Sequence, residues 1–321
     1  VGTACMVDTQ YFSAIQEVEL EEDSSEVLLC NFPNSMVFNG DLRDVMEITQ
    51  VDVAMVTLPC NEHSALGHRE GNVMNDLVIA AAKIIKSSQA SMLFFENVPS
   101  FYRSDAWTNL KQLLIDEYPF WTEKNIEAWD FGSLATRNRT YVIACAQEDI
   151  FQAFQFPSPP KMRRKKLKDY LDAASVHHEW KSLKQWMESF QSRRAWRERN
   201  IERTFVSKEV DKINCIPARY TSHSASSSYV LSEDKQSWRF LSINEIKRIL
   251  NVPDWFEFCE HTPKIRKYEM VGQSVDGTVI RAIANRIAYA FMKAKTTVAN
   301  MMNRVRESYN VNSYGQIEML I

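Results

Sequence analysis

Four groups of reactive side chains follow one another along this sequence. They are a cysteine straight after a proline (Pro59-Cys60), a glutamate before Asn-Val (Glu96-Asn97-Val98), two arginines one residue apart (Arg137-Asn138-Arg139), and a glycine followed by Gln-Ser-Val (Gly272-Gln273-Ser274-Val275). A thiolate is a nucleophile, a partly desolvated carboxyl can act as an acid near neutral pH, and guanidinium groups hold carbonyl or phosphate oxygens. Brought together, they would suit covalent catalysis, in which one hard step becomes two easier ones. Taken singly each has a plainer reading. Cys60 could be one more small buried hydrophobe, and the arginines could be surface residues at a strand end.

The elements that must position these groups are legible from hydrophobic period. Val51 to Leu58 is apolar apart from Asp52 and Thr57, which predicts a buried, parallel strand. Pro59 fixes φ and stops the ladder, so Cys60 is presented at the strand's C-terminal end, the edge where open α/β sheets bind ligands. Met92-Leu-Phe-Phe95 reads as a second strand ending in Glu96, and Tyr141-Val-Ile143 as a third entered by the two arginines. Because side chains alternate along a strand, Arg137 and Arg139 point the same way. Helical spacing runs from Met74 to Lys86 through Leu77, Val78, Ala81, Ile84 and Ile85, and from Ala106 to Tyr118 through Leu110, Leu113 and Leu114. Val279, Ile283 and Ile287 predict a last helix buried against the sheet, opened by Gly272 to Val275. Residues 3–17 could form a helix, Glu17 to Leu20 reads as a strand end, and Met36 to Leu42 as a short strand ending near Asp41. Ser242 and Glu245 have capping-box spacing. Strands alternating with helices predict an α/β, doubly wound and mostly parallel sheet.

With 321 residues, 45% hydrophobic and 25% charged, the chain has room for one large and one smaller globular unit. A net charge of −3 does not exclude a nucleic acid, because the placement of charge decides. The six cysteines show no C-x-x-C pair or zinc spacing, so reduced thiols and no structural metal are expected. No signal peptide, internal repeat or run of eighteen apolar residues is present, which favours an intracellular, non-membrane protein.

Cysteine after proline, Glu-Asn-Val, Arg-x-Arg and Gly-x-Ser-Val, in this order, resemble the ordered motifs of the DNA cytosine-5 methyltransferases over nearly the whole chain. The resemblance implies a Rossmann-like fold and methyl transfer from S-adenosyl-L-methionine to carbon 5 of cytosine in duplex DNA. By the same resemblance Cys60 attacks carbon 6 of a base flipped out of the helix, and Glu96 serves ring nitrogen 3. Arg139 takes the base carbonyl, and Arg137 a phosphate or the orientation of Glu96. Asn97 would hold backbone in place.

For the cofactor the resemblance implies Gly2, Glu19, Leu20, Asp41, Leu42, Pro59, Leu77, Gln273 and Val275, with Glu19 on the ribose and Asp41 on the adenine amino group. Seventeen positions separate Gly2 from Glu19, near the usual glycine-to-acid spacing of about twenty. Glu19 could instead be a solvated acid, and Leu77 a plain core leucine. The loop from Asn61 to Asn72, with Gly67 and Gly71, is expected to be mobile and to touch DNA through Asn61 and Ser64. From Pro157 onward basic residues concentrate, and Arg163, Arg164, Arg194, Arg197 and Arg219 are candidate DNA contacts in the family's variable recognition region. A solvated helix face is the alternative for that cluster. Expected units are residues 1–157 for catalysis and cofactor, 158–240 for target recognition, 241–299 for the return to the first unit, and 300–321 for a tail.

Four departures from the family pattern stand out. Asn61 replaces a glutamine after the cysteine, and Ala135 replaces a glutamine before Arg-x-Arg. Gln273 replaces an asparagine, and only Gly2 remains of a glycine-rich turn after the first strand. The last departure leaves two rivals open: an upstream segment or second subunit supplies that strand, or the chain is a DNA-binding relative without catalysis. RNA cytosine-5 methylation is a third reading. In a bacterium or phage the protein would be cytoplasmic, and in a eukaryote nuclear.

Overall fold

The computed structural model describes residues 1–59, 73–173, 175–190, 203–223, 226–308, 310–311 and 317–318. Cys60, Asn61, Ser64, Arg194 and Arg197 lie outside the described residues, so their expected roles are neither placed nor displaced. The strands of the first part are β1 (Gln16–Glu19), β2 (Met36–Asn39), β3 (Val53–Val56), β4 (Met92–Asn97), β5 (Phe120–Glu127) and β6 (Asn138–Cys145). The helices are α1 (Gly2–Val7), α2 (Glu22–Asn31), α3 (Val73–Ser88), α4 (Asp105–Leu114), α5 (Glu148–Ala153), α6 (Leu183–Phe190), α7 (Ile243–Ile249), α8 (Lys264–Gln273) and α9 (Gly277–Ser308).

β4 is the centre of a four-stranded sheet ordered β3-β4-β6-β5, and its six residues are all buried. Its alternation sets up two layers. Met92 and Phe94 face α9 with Tyr141, Ile143 and Cys145 of β6, where Val279, Ile283 and Ile287 are each 0% exposed. Leu93 and Phe95 face the opposite side with Val142 and Ala144, against Val78, Ala81 and Ile85 of α3 and Trp107, Leu110 and Leu114 of α4. The apolar stripes read from the sequence therefore cover both faces of one sheet.

Several sequence expectations are corrected. β6 runs antiparallel to both β4 and β5, because the link of residues 128–137 is shorter than the dozen or more residues a parallel crossover needs. β3 pairs parallel with β4 as expected, but it is half-buried along its length, being an edge of the described sheet. β1 and β2 pair parallel with each other in a separate ladder. The helix over residues 3–17 shrinks to α1, since Gln10 takes a left-handed φ of 66° and the Thr9 hydroxyl turns back to the Met6 carbonyl at 2.6 Å. Gly272 to Val275 does not open a helix. It closes α8, and α9 begins at Gly277.

Beyond residue 157 a second four-stranded sheet, ordered β7-β10-β9-β8, joins β7 (Lys181–Ser182), β8 (Phe205–Val206), β9 (Tyr229–Leu231) and β10 (Ser237–Arg239). Its buried Trp238, Tyr229 and Val206 share a core cluster with Ile246 of α7, Val271 of α8 and Val27 of α2. A last pair of short strands, β11 (Asn310–Val311) and β12 (Ile317–Glu318), follows α9. Among the described residues no helix is long and apolar enough to cross a membrane.

Candidate active site

Glu96, Arg137 and Arg139 converge for a reason visible in the strand period. Glu96 continues the Met92, Phe94 face of β4, and the arginines continue the Tyr141, Ile143 face of β6, which is the same layer. The ladder register sets Glu96 opposite Tyr141, one diagonal step from Arg139. Arg139 Nε lies 3.1 Å from Glu96 Oε1. The Glu96 residue is 8% exposed, and burial raises its carboxyl above the usual glutamate range despite the opposing charges of Arg139 and Arg137. Burial likewise pulls the Arg139 guanidinium down, with Arg137 adding to the effect. Tyr102, which follows β4 in a short turn, is within electrostatic reach of Glu96 and carries a phenol pushed up chiefly by burial. No spacing rule in the sequence points to it.

The approach to Cys60 is fixed from the neighbouring strand. Asn97 donates its side-chain amide to the Leu58 carbonyl at 2.9 Å, while its own Oδ1 accepts the Val98 N–H at 2.8 Å. Asn97 thus pins the chain two residues before the thiol, and Pro59 stands exposed just beyond β3. The backbone-holding role expected for Asn97 is the contact observed.

Arg137 departs from its expected place. Its guanidinium donates to the carbonyls of Ile216 at 3.4 Å, Gly272 at 3.2 Å and Ser274, and lies 3.6 Å from Cys215 Sγ. At 3% exposure it cannot meet a phosphate, and the ion pair that orients Glu96 belongs to Arg139. Arg137 instead ties β6 to the segment after β8 and to the junction between α8 and α9. Gly272 allows that junction, because a Cβ there would stand 2.2 Å from the Pro217 carbonyl oxygen. Asp276, one residue past Val275, is buried and receives the N–H groups of Thr278 at 3.0 Å and Val279 at 3.4 Å at the start of α9. Burial raises its carboxyl to about 6. An acid just before a helical stripe is a legible N-cap signal that the sequence reading passed over.

The residues assigned to the cofactor lie at or just past the ends of β1, β2 and β3, and on α1, α3 and the α8–α9 junction. Asn39 donates to the carbonyls of Glu19 and Leu20 at 3.2 Å each, and Gly40 N–H bonds the Glu19 carbonyl at 3.0 Å, which sets Asp41 beside the end of β1. Leu20 is 62% exposed beside the half-buried Glu19. Asp41 is held down to about 2 by the Arg43 guanidinium and N–H, so it is an obligate acceptor. Gly2 begins α1, and a Cβ on it would stand 2.6 Å from Met55 Cε and 3.8 Å from Val275 Cγ2. Leu42 packs partly buried near α3, Leu77 is half-buried on α3, Val275 is buried, and Gln273 is exposed.

The basic residues divide. Arg163 and Arg219 are exposed. Arg164 is committed to Trp129, lying 3.7 Å over its ring and donating to its carbonyl, so it is unsuited to a phosphate. Lys166 and Lys168 both pair with Glu209, at 2.9 Å each. One further cluster, Asp172, His178 and Glu245, brings three metal-ligand types together. There Arg239 takes both Glu245 oxygens at 2.7 Å, and Arg248 and Ser242 take those of Asp172, so cations and donors already satisfy the carboxylates.

A strand-end acid, Glu96, thus stands with its arginine one strand from the pinned end of β3. The sequence model of the C-5 cytosine-specific DNA methylases matches residues 2–289. The chain belongs to that family. As a DNA cytosine-5 methyltransferase it uses S-adenosylmethionine as methyl donor. Among curated relatives, the Type II methyltransferase M.Bsp6I of Bacillus sp. (strain RFL6) is 23% identical over 299 residues, covering 87% of this chain and 92% of its own. The Type II methyltransferase M.HhaI of Haemophilus parahaemolyticus is 29% identical over 149 residues, 44% of this chain and 45% of that one. The fold is that of the S. pombe Dnmt2 methyltransferase, with a TM-score of 0.69 at 13% identity over 91% of this chain and 95% of that one. The Entamoeba histolytica methyltransferase EhMeth gives 0.68 at 16% identity, covering 89% and 95%. The exposed apolar Leu20 and the ionised acceptor Asp41 fit an adenosyl ligand in polarity.

Proposed function

We propose that this methylase acts on cytosine in duplex DNA, through a transient bond between Cys60 and carbon 6 of a base swung out of the helix. The observation that carries the reading is Glu96. A buried carboxyl with a raised pKa, beside Arg139 and one strand from the Pro59-Cys60 turn, is an acid matched to a ring nitrogen. Attack by the Cys60 thiolate places a sulfur on carbon 6, and Glu96 gives or shares a proton at nitrogen 3, so the electron pair collects at carbon 5. Bound S-adenosylmethionine supplies an electrophilic methyl for that carbon. Loss of the carbon 5 proton then lets the Cys60 sulfur leave and restores the ring. Arg139 holds the base carbonyl and keeps Glu96 oriented, and Asn97 holds the backbone at Leu58, two residues before Cys60 in the sequence. Gly2, Glu19, Leu20, Asp41, Leu42, Pro59, Leu77, Gln273 and Val275 would hold the cofactor. No base inside a duplex exposes carbon 6 to a thiol, which is why flipping is part of the proposal.

The sheet with β7 to β10, within residues 158–240, is assigned to target recognition, with Arg163 and Arg219 as its exposed phosphate contacts. Residues 1–157 and 241–299 carry the catalytic unit. We place the protein in a bacterial cytoplasm, as the modification partner of a restriction nuclease, in line with its Type II relatives. A further strand is proposed between β1 and β3. Both are parallel edges without a second ladder partner among the described residues, and a Cβ built on Gly2 would stand 2.6 Å from Met55 of β3. An upstream segment or a second subunit would supply it.

The test is incubation of wild type and Cys60→Ser with labelled S-adenosylmethionine and either random-sequence duplex DNA or RNA. Label at carbon 5 of DNA cytosine, lost in Cys60→Ser, is expected. Label in RNA alone, or DNA methylation that survives the substitution, refutes the proposal. Binding of DNA without any label would favour the catalytically silent relative.

A further inference from the structure

We propose that Cys30 and Cys259 are a reversible redox pair, closing an intramolecular disulfide that staples α2 to the segment between α7 and α8. The inference does not depend on the substrate proposed above. It begins with a seam of contacts along which numbering rises on one side and falls on the other. Glu26 Oε2 meets His261 Nε2 at 2.7 Å. Asn31 Nδ2 donates to the Glu257 carbonyl at 2.7 Å, and Asn31 Oδ1 accepts the Glu257 N–H at 2.9 Å. Phe32 and Trp255 meet edge to face with centroids 6.0 Å apart. Cys30 stands one helical turn beyond Glu26 on α2, and Cys259 falls between Glu257 and His261, so the contacts on either side bring both cysteines to the same stretch of the seam. Both are free thiols, and each lies within electrostatic reach of the other.

The two thiols differ in a way that orders the chemistry. Cys30 is exposed, whereas Cys259 is 8% exposed and its thiol is pushed up to about 11, first by burial and then by Cys30 and Glu26. A small-molecule disulfide therefore meets Cys30 first. The Cys30 thiolate attacks one sulfur of that disulfide and releases one small thiol, leaving a mixed disulfide. The Cys259 thiolate then attacks Cys30 Sγ and expels the second small thiol. Two protein thiols are oxidised, one small disulfide is reduced, and the two protons end on the leaving thiols. Cys5 and Cys145 are 0% exposed, and Cys215 lies 3.6 Å from Arg137, so none of the three competes for Cys30 at this seam.

The staple bears on the cleft because α2 begins just after Glu19 and Leu20, and Trp255 on the opposite strand of the seam donates to Asp8 Oδ1 at 2.8 Å. Oxidation fixes that wall to α1 and to the loop before α8. The test is treatment of the full chain with oxidised glutathione, alkylation of remaining thiols, and non-reducing peptide mapping. The expected result is a Cys30 peptide joined to a Cys259 peptide, reversed by dithiothreitol, with Tm raised by roughly 3–8 °C. Cys30→Ser and Cys259→Ser should each lose both the cross-link and the Tm rise. Stable glutathione on Cys30 with Cys259 still alkylated would overturn the proposal. So would a Cys30 disulfide between two chains, or both thiols left free where an exposed cysteine peptide reacts fully.

Discussion

Asp276 offers the sharpest quantitative test of how the site is framed. Its carboxyl is fully buried, with Oδ1 engaged by two N–H groups of α9 and Oδ2 without a partner among the described residues. Burial lifts it from the ordinary 3.8 to about 6, against the pull of Ser133, Thr278, Val279 and Arg137. A carboxyl whose folded pKa is raised binds its proton more tightly in the native state. Its contribution is therefore fully present below about pH 4 and is lost as pH rises through about 6. At about 1.4 kcal/mol per pH unit, the loss is about 3 kcal/mol by pH 7. Asp276→Asn cannot ionise and keeps an oxygen for the two N–H groups. Its unpartnered amide adds an offset of about 1–3 kcal/mol that does not vary with pH. Urea unfolding of both proteins from pH 4 to pH 8, followed by tryptophan fluorescence, should show wild type losing about 3 kcal/mol relative to the variant between pH 4 and pH 7. Above pH 7 the difference should be flat. Parallel curves would refute the reasoning, and a wild type that gains with pH would mean that Arg137 outweighs burial.

The other predictions concern the acid, the two arginines and the crowded glycine. Glu96→Gln should lower initial rates of methyl incorporation about 10²–10⁴-fold while cofactor binding, followed by titration calorimetry, survives. Because the Glu96 carboxyl is raised and its protonated form is the working one, the wild-type rate should fall with rising pH, and the Gln variant should lack that limb. Arg137→Met strands the carbonyls of Ile216, Gly272 and Ser274 and should cost about 3–5 kcal/mol in urea unfolding. Arg139→Met should cost less than about 2 kcal/mol yet abolish methylation, and a reversal of these two outcomes would overturn the division of labour. Gly272→Ala drives a Cβ into the Pro217 carbonyl and should cost about 2–4 kcal/mol, measured by the same unfolding.

What the sequence made legible was whatever one strand or helix decides for itself. Continuous apolar runs placed β4 and β6, helical spacing placed α3, α4 and α9, and Ser242 with Glu245 formed the capping box that their spacing implied. Strand direction was not legible, because the antiparallel course of β6 depends on how little chain joins it to β5. The junction at Gly272 was misplaced for a similar reason. Its helix-closing role is set by the close pass of Pro217, some fifty-five residues earlier, which no local pattern records. The nearness of Tyr102 to Glu96 and the seam between α2 and residues 255–261 are likewise products of tertiary packing.

Arg137 and Arg139 show where pattern ends and packing begins. Alternation puts both on the same face, and both act electrostatically on Glu96. Yet lying two residues earlier, just before β6 begins, Arg137 falls beneath the segments that cross from residues 215–217 and 272–275, where three carbonyls need a donor. A buried guanidinium needs its N–H groups answered, and carbonyls crossing β6 answer Nη1 and Nη2, while Nε has no partner among the described residues. Arg139 emerges past that crossing, at 18% side-chain exposure, with Glu96 as its charged partner. The frame thus absorbs one arginine in its own carbonyls, while the other stays paired with the buried acid at the end of β4.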